Sequence, residues 1–242
     1  MPHNGGTVDG PAGKQALGDR QGRACAVFDF DETIVSKDTG AAFIASIIHR
    51  SWLRAALAAL ATPFALPLMA RRTTRKWGIS VYLWIATCGC SEVDLRAMCA
   101  KFAEAFFDPP IGGRAFAAAL DALREQNAAG RQLVVMSGSF DCIVWDILGR
   151  IAPGQYTIVA STHRRFMWGF IIDEHCVGQQ KVQMALSAEV PDGPWDVGYS
   201  DSAWDVPMLR NCLTRYVVNP SDRTLARFKS AFGVDFNVVR WR

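Results

Sequence analysis

Between Asp38 and Glu92 the chain has no acidic residue, yet Arg50, Arg54, Arg71, Arg72, Arg75 and Lys76 all fall there. The net charge of +3 over 242 residues is therefore concentrated in one region. That points to an acidic partner for this region. No Cys-x-x-Cys pair occurs among Cys25, Cys88, Cys90, Cys99, Cys142, Cys176 and Cys212, an odd and scattered set. A disulfide framework and a thiolate zinc site are thereby set aside, and reduced, mostly buried thiols of a cytosolic protein are expected. The histidines His3, His49, His163 and His175 form no zinc spacing and no hydrolase triad. Residues 1–22 lack an apolar run after the start, so a disordered tail is expected there and not a signal peptide. Ala55 to Ala70 lacks charge altogether. As a helix that stretch would span about 24 Å, short of the ~30 Å hydrocarbon core, and Pro63 and Pro67 are expected to break or kink it. An interfacial or re-entrant segment is expected, since arginines flank it and Trp52, Trp77, Tyr82 and Trp84 lie near its ends.

What is present reads as an α/β protein. The apolar segment from Ala24 to Phe28 is a strand candidate that runs into Asp29-Phe30-Asp31-Glu32-Thr33. Helical spacing follows over 38–50, 51–62, 74–86 and 91–107, closed by Pro109-Pro110. From Phe116 strands and helices alternate: helix 115–129, strand 131–136, helix 140–149, strand 156–160, a hairpin over 163–172, helix 178–189, strand 195–199, helix 203–211 and strand 213–218. This alternation predicts a doubly wound parallel sheet, a Rossmann-like core formed by 23–36 and 112–242, with 37–111 inserted as a helical cap. Ligands of such sheets bind at the carboxyl ends of the strands.

Four positions follow apolar runs in that way. Asp29 and Asp31 lie two apart, so they project from the same side where the first strand ends. Unpaired, two such carboxylates repel and one stays protonated, unless a cation is supplied or the pair serves as nucleophile and proton donor. Ser137-Gly138-Ser139 follows Val134-Val135-Met136, small residues entering a helix whose free N–H groups suit a phosphate. Lys181 stands at the start of a helix, and Ser200-Asp201-Ser202-Ala203-Trp204-Asp205 follows the strand at 195–199. Each has a plainer explanation alone, as an acidic turn, a helix cap or a solvated charge. Their order at successive strand ends favours a shared site.

In this order the residues resemble the haloacid dehalogenase superfamily of phosphohydrolases: D-x-D-x-T at Asp29 to Thr33, an apolar strand then Ser137-Gly138, the lone Lys181, and S-D-x-x-x-D at Ser200 to Asp205. The helical insertion is similar to the cap of the phosphoserine phosphatase branch. The resemblance implies Mg2+ held by Asp29, the backbone carbonyl of Asp31, and Asp201. It implies Asp29 as nucleophile, Asp31 as general acid and base, and Ser137, Gly138 and Lys181 around the transferring phosphoryl group, with Thr33 and Asp205 in support. Arg75-Lys76-Trp77, Leu83-Trp84, Cys176-x-Gly178-x-x-Lys181 and Tyr199-Ser200-Asp201-Ser202-x-x-Asp205-x-Pro207 look like the phosphatidylglycerophosphatase C branch. That branch implies an anionic phospholipid substrate, a membrane surface as partner, no nucleic acid, and a place at the cytoplasmic face of the bacterial inner membrane.

Two features leave a soluble, cytoplasmic small-molecule phosphatase open. Glu32 stands where that branch usually has Gly, as in phosphoethanolamine/phosphocholine phosphatases, and Asp38 occupies roughly the place of a substrate-binding Glu in phosphoserine phosphatases. A signalling receiver also gathers Asp, Ser or Thr and Lys on a parallel sheet, but Asp31 and residues 38–110 count against it. A catalytically inactive lipid-binding module is disfavoured by the full set of Asp29, Asp31, Lys181 and Asp201.

Overall fold

The computed structural model describes residues 24–188 and 190–241, so the tail expected at 1–22 lies outside the described residues. Strand β1 (Cys25–Asp29) is buried at every position. Its unbroken apolar run is what a central parallel strand requires, since both of its faces are covered. On one face Ala26 and Phe28 enter one apolar cluster, and on the other Cys25 and Val27 enter a second. A side-chain period of two thus divides one strand between two cores.

Helices α1 (Thr39–Ile48), α2 (Trp52–Ala70), α3 (Arg75–Thr87) and α4 (Glu92–Ala105) follow β1, and α5 (Ala117–Ala128) leads into β2 (Gln132–Phe140). Next come α6 (Asp141–Ile151), β3 (Thr157–Ser161), the hairpin β4 (His163–Phe166) and β5 (Gly169–Ile172), and α7 (Gln179–Ser187). The chain closes with β6 (Trp195–Ser200), a 3-10 turn at Ala203–Asp205, α8 (Val206–Arg210), β7 (Cys212–Val218), α9 (Asp222–Phe232) and β8 (Asn237–Val239). The main sheet is parallel, in the order β3-β2-β1-β6-β7-β8. Strand order reverses beside β1, which places the switch point, and the crevice that comes with it, at Asp29.

The helices between β1 and β2 share the apolar cluster of one sheet face: Phe43 of α1, Leu83 of α3 and Phe102 of α4 belong to it together with Phe28 and Val135. Phe43 meets Phe102 and Phe140 edge to face at 5.5 and 6.3 Å. The opposite face is covered by α7, α8 and α9 through Ala185, Met208, Leu209 and Phe228.

Three expectations are corrected. The break predicted at Pro63 and Pro67 does not occur, and α2 runs through both prolines for 19 residues. Both lie on the exposed side of the helix, where the carbonyls they leave unpaired are open to water. At about 1.5 Å per residue α2 is therefore close to 28 Å long, and among the described residues it is the one helix long and apolar enough to cross a membrane by length and composition. Second, the strand predicted to end at 136 continues through Ser137-Gly138-Ser139 to Phe140, with an irregularity between Ser137 and Phe140, because the Ser161 hydroxyl of β3 donates to the Gly138 carbonyl at 2.8 Å and holds the segment extended; α6 follows directly at Asp141. Third, the helix predicted over 203–211 is a 3-10 turn followed by a short α8 beginning at Val206.

The antiparallel pair α2 and α3 is close. A Cβ on Gly78 would stand 2.7 Å from the Ala65 carbonyl oxygen and 2.5 Å from Met69 Cγ, so only glycine allows this approach.

Candidate active site

The carboxylates expected at the strand ends converge. Lys181 Nζ donates to Asp29 Oδ1 at 2.5 Å and to Asp205 Oδ2 at 2.8 Å, and all three side chains are buried. Gly178, with φ of +62°, turns the chain into α7 and sets Lys181 three residues on, facing the sheet end. The Thr33 hydroxyl lies 3.0 Å from Asp29 Oδ2 and 3.2 Å from Asp201 Oδ1, and accepts from the Asp201 N–H at 3.0 Å. A single hydroxyl thus ties the ends of β1 and β6 together. Asp205 also accepts from the Ser200 hydroxyl at 2.8 Å.

Asp31 sits in an adjoining network. One of its oxygens accepts from the Thr39 N–H and hydroxyl at 2.7 and 2.6 Å, the other from the Ser137 hydroxyl at 2.6 Å. The Ser139 N–H in turn donates to Ser137 Oγ at 2.9 Å, so Ser137 is spoken for on both sides. The turn that carries Asp31 is strained, for Glu32 has φ of +56°. A side chain there costs about 1–2 kcal/mol relative to glycine.

The electrostatics follow from two buried carboxylates, Asp29 and Asp205, on one ammonium, with the half-buried Asp201 close by. Burial raises Asp29 well above the ordinary carboxylate range against the pull of Lys181, with Asp205 and Asp201 adding to the rise. Burial, then Asp205 and Glu32, push Asp201 up to about 7. Burial and the neighbouring Asp38 push Asp31 up to about 6, opposed by its bonds to Ser137 and Thr39. For Lys181 burial works against the charge, but Asp205 and Asp29 outweigh it and the ammonium is held above its ordinary value. Lys181 alone does not balance these carboxylates, and the raised values of Asp29 and Asp201 mark a site short of positive charge. All-oxygen donors with surplus charge fit a hard divalent cation. Among the described residues no three His, Cys, Asp or Glu side chains form a closed cage; the expected donor set is of another kind, two carboxylates and a main-chain carbonyl.

These groups lie at one end of a cavity of about 670 Å³. Asp29, Asp31, Gly138, Lys181, Asp201 and Asp205 line that end, with Thr33 and Ser137 directly behind, bonded to Asp29 and Asp31. The other end runs between α1, α2 and α3 and is lined by Ile44, Ile48, Ala58, Ala59, Ile79 and Tyr82. Arg75 and His175 also line the cavity. Burial, with Arg75, Lys76 and Lys181 nearby, lowers His175 to about 4 and keeps it neutral. Arg75 makes no carboxylate contact among the described residues; its guanidinium lies 5.4 Å from the centre of the Trp204 ring, and Arg72 stacks there at 4.5 Å.

Sequence reasoning missed Thr39, Ser200 and His175. Thr39 had a visible signal, a hydroxyl at the first turn of a helix eight residues after a candidate acid. Ser200 was inside the quoted motif without a role. His175 had none, because only folding brings the segment before α7 against Gly138.

Comparison with known proteins agrees with this geometry. Over 220 residues the chain is 27% identical to a probable phosphatase of Mycobacterium tuberculosis, covering 87% of this chain and 74% of that one. Its fold is shared with a protein of unknown function from Bordetella pertussis Tohama I at a TM-score of 0.64, with 22% identity over 90% of this chain and 98% of the other. A substrate-bound phosphoserine phosphatase superposes at a TM-score of 0.54, with 13% identity over 86% of this chain and 91% of that one. Residues 26–210, from the first strand through the Lys181 and Asp201 loops, match the haloacid dehalogenase-like hydrolases, and the chain belongs to that family.

Proposed function

We propose that the chain is a phosphomonoester hydrolase that works through an aspartyl-phosphate on Asp29, and that its substrate is an anionic phospholipid phosphate, phosphatidylglycerophosphate, converted to phosphatidylglycerol. One observation carries the reading: a single cavity joins a carboxylate–lysine cluster to an apolar channel between α1, α2 and α3. A phosphate with an apolar tail fits such a shape, and a small polar ester would leave the channel unfilled.

In this scheme Asp29 attacks phosphorus while the bond to the leaving oxygen breaks. Asp31, raised to about 6, gives its proton to that oxygen and later takes one from the water that hydrolyses the acyl phosphate. Thr39 and Ser137 fix the Asp31 carboxyl group at the required place. Lys181, oriented by Asp205, offsets charge on the transferring group, and the Gly138 N–H and Ser137 hydroxyl border it. Asp29, Asp201 and the Asp31 carbonyl would hold Mg2+, which when bound neutralises the phosphate dianion and lets a carboxylate approach. Asp29 and Asp201 touching one Thr33 hydroxyl supports that assignment.

The outer face of α2, with Trp52, Leu57, Leu60 and Phe64 exposed and arginines at both ends, fits contact with an anionic membrane surface. With all seven cysteines free, this reading sets the protein at the cytoplasmic face of the inner membrane. A second reading, a soluble amino-alcohol phosphate, is favoured by Asp38 at the cavity rim. Its carboxylate is already used to cap α1, accepting from the Ala41 N–H at 2.8 Å, which weighs against an ammonium ligand there.

A phosphate-release assay separates the readings. Phosphatidylglycerophosphate in mixed micelles is expected to be hydrolysed ahead of phosphatidic acid, phosphoserine and phosphocholine, with release abolished by EDTA. Preference for phosphoserine or phosphocholine would overturn the lipid assignment. Release that persists in EDTA would overturn the divalent-ion assignment.

A further inference from the structure

The hairpin β4–β5 is not used by the chemistry above, and its tip is the second concentration of exposed apolar side chains in the molecule. Among the described residues sixteen large apolar side chains are exposed; six lie on α2 and three, Phe166, Met167 and Trp168, form this tip. The turn is costly in two ways. Two-residue hairpin turns favour Asn, Asp or Gly at positive φ, yet here Met167 takes φ of +53°. Met167 and Trp168 are then left 66% and 67% exposed. A turn that served only to reverse the chain would not select these residues.

The tip is fixed to the α2 end of the molecule. The Gly89 N–H donates to the Trp168 carbonyl at 2.7 Å, and Trp84 Nε1 of α3 donates to the Phe166 carbonyl at 3.2 Å. Gly169 sits against the Trp84 ring so closely that a Cβ would come within 2.9 Å of it. Arg54, in the first turn of α2, reaches the Cys88 carbonyl at 3.5 Å, one residue from Gly89. The tip is thereby tied, through Cys88 and Gly89, to the first turn of α2, where the exposed stripe begins. Arg165 on β4, whose guanidinium donates to the Cys90 carbonyl at 3.2 Å, adds to Arg50 and Arg54, beside a segment without acidic residues from 39 to 91, while the neighbouring Arg164 is paired with Asp173.

We infer that the Phe166–Trp168 tip and the outer face of α2 form one docking surface for an anionic lipid bilayer, with the tip as a second insertion point. Apolar and aromatic groups enter the interface while arginines meet the headgroups. The inference rests on the membrane part of the reading above and not on its chemistry. Two contacts far apart along one surface would also fix the angle at which the cavity mouth meets the bilayer.

The test replaces the tip by a turn the backbone prefers. Met167→Gly with Trp168→Asn places glycine at the one turn position with positive φ, so the fold is kept or stabilised. Co-sedimentation with equimolar phosphatidylglycerol and phosphatidylcholine vesicles at about 0.1 M salt is expected to fall about tenfold for this variant. Its melting temperature is expected to stay level or rise, and its hydrolysis of the water-soluble p-nitrophenyl phosphate to match wild type. Partition of the variant within about twofold of wild type would overturn the inference. So would wild type that binds neither these vesicles nor phosphatidylcholine alone, or that binds the two equally, since the arginines would then contribute nothing. Failure of wild type to hydrolyse any phosphomonoester would sink the proposed function and leave the vesicle result to be judged by itself.

Discussion

The carboxyl ends of β1 and β6 and the outer face of α2 each hold groups where a folded chain gains least by placing them. At the sheet end two carboxylates, Asp29 and Asp205, are taken out of water around one ammonium, and the cost is offset locally by Lys181, Thr33 and Ser200. On α2 the misplaced groups are apolar, and nothing among the described residues covers Leu57, Leu60 or Phe64. The first region is compensated in part from within, by Lys181 and the hydroxyls. The second has no such compensation among the described residues. The contrast separates the proposed chemistry, which buried groups of the chain carry, from the proposed membrane contact, which an exposed face would carry.

Replacing the nucleophile tests the first region most sharply. Asp29→Asn is expected to lower turnover at least about 10⁴-fold, because an amide cannot accept the phosphoryl group. The fold should survive, since burial already disfavours the charged carboxyl at this position and Lys181 keeps Asp205 as partner. Phosphate release and thermal melting in EDTA check both halves, and activity near wild type would end the covalent scheme.

That site was legible in the sequence because its residues are set by strand ends, and strand ends are marked by apolar runs that stop. Asp29, Lys181, Asp201 and Asp205 came together as the order of the strands required. Less legible was whatever depends on a neighbour. Pro63 and Pro67 predict a break on local grounds, but on the exposed side of a helix packed against α3 they are tolerated. Ser137-Gly138-Ser139 reads as lying past the end of its strand until β3 is present to hold it extended. The helices after β1 read as a separate unit by composition, whereas Phe43 in α1 packs against Phe140 at the end of β2. Phe43→Ala accordingly tests whether these helices and the sheet share one core. A fully buried phenylalanine costs about 3–5 kcal/mol when truncated, and a single cooperative melting transition at lower temperature is expected. Two separated transitions would show independent cores.

Arg75 lines the same cavity as the carboxylates and the apolar residues of α1, α2 and α3. Held on the Trp204 ring and free of carboxylate partners among the described residues, it suits a second anionic group on the substrate. Arg75→Ala is expected to reduce kcat/KM about 10- to 100-fold for phosphatidylglycerophosphate, the loss typical of one hydrogen bond to a charged group. For p-nitrophenyl phosphate, with its single phosphate, little change is expected. Equal losses on both would assign Arg75 to holding Trp204 and the Asp201 loop in place.

The smallest effect expected is the one most informative about α2. Phe64 is 78% exposed, so Phe64→Ser should alter stability in solution by less than about 0.5 kcal/mol, in line with surface substitutions generally. Phe43 and Phe64 are the same residue type on adjacent helices, and the first should cost several-fold more than the second. With anionic vesicles present the order is expected to change, because only wild type gains stability from a ligand that binds the folded state. A vesicle-dependent rise in melting temperature that Phe64→Ser removes would tie the exposed stripe to the bilayer. If the rise persists in the variant, the stripe is ordinary surface and the arginines alone bring the protein to the membrane.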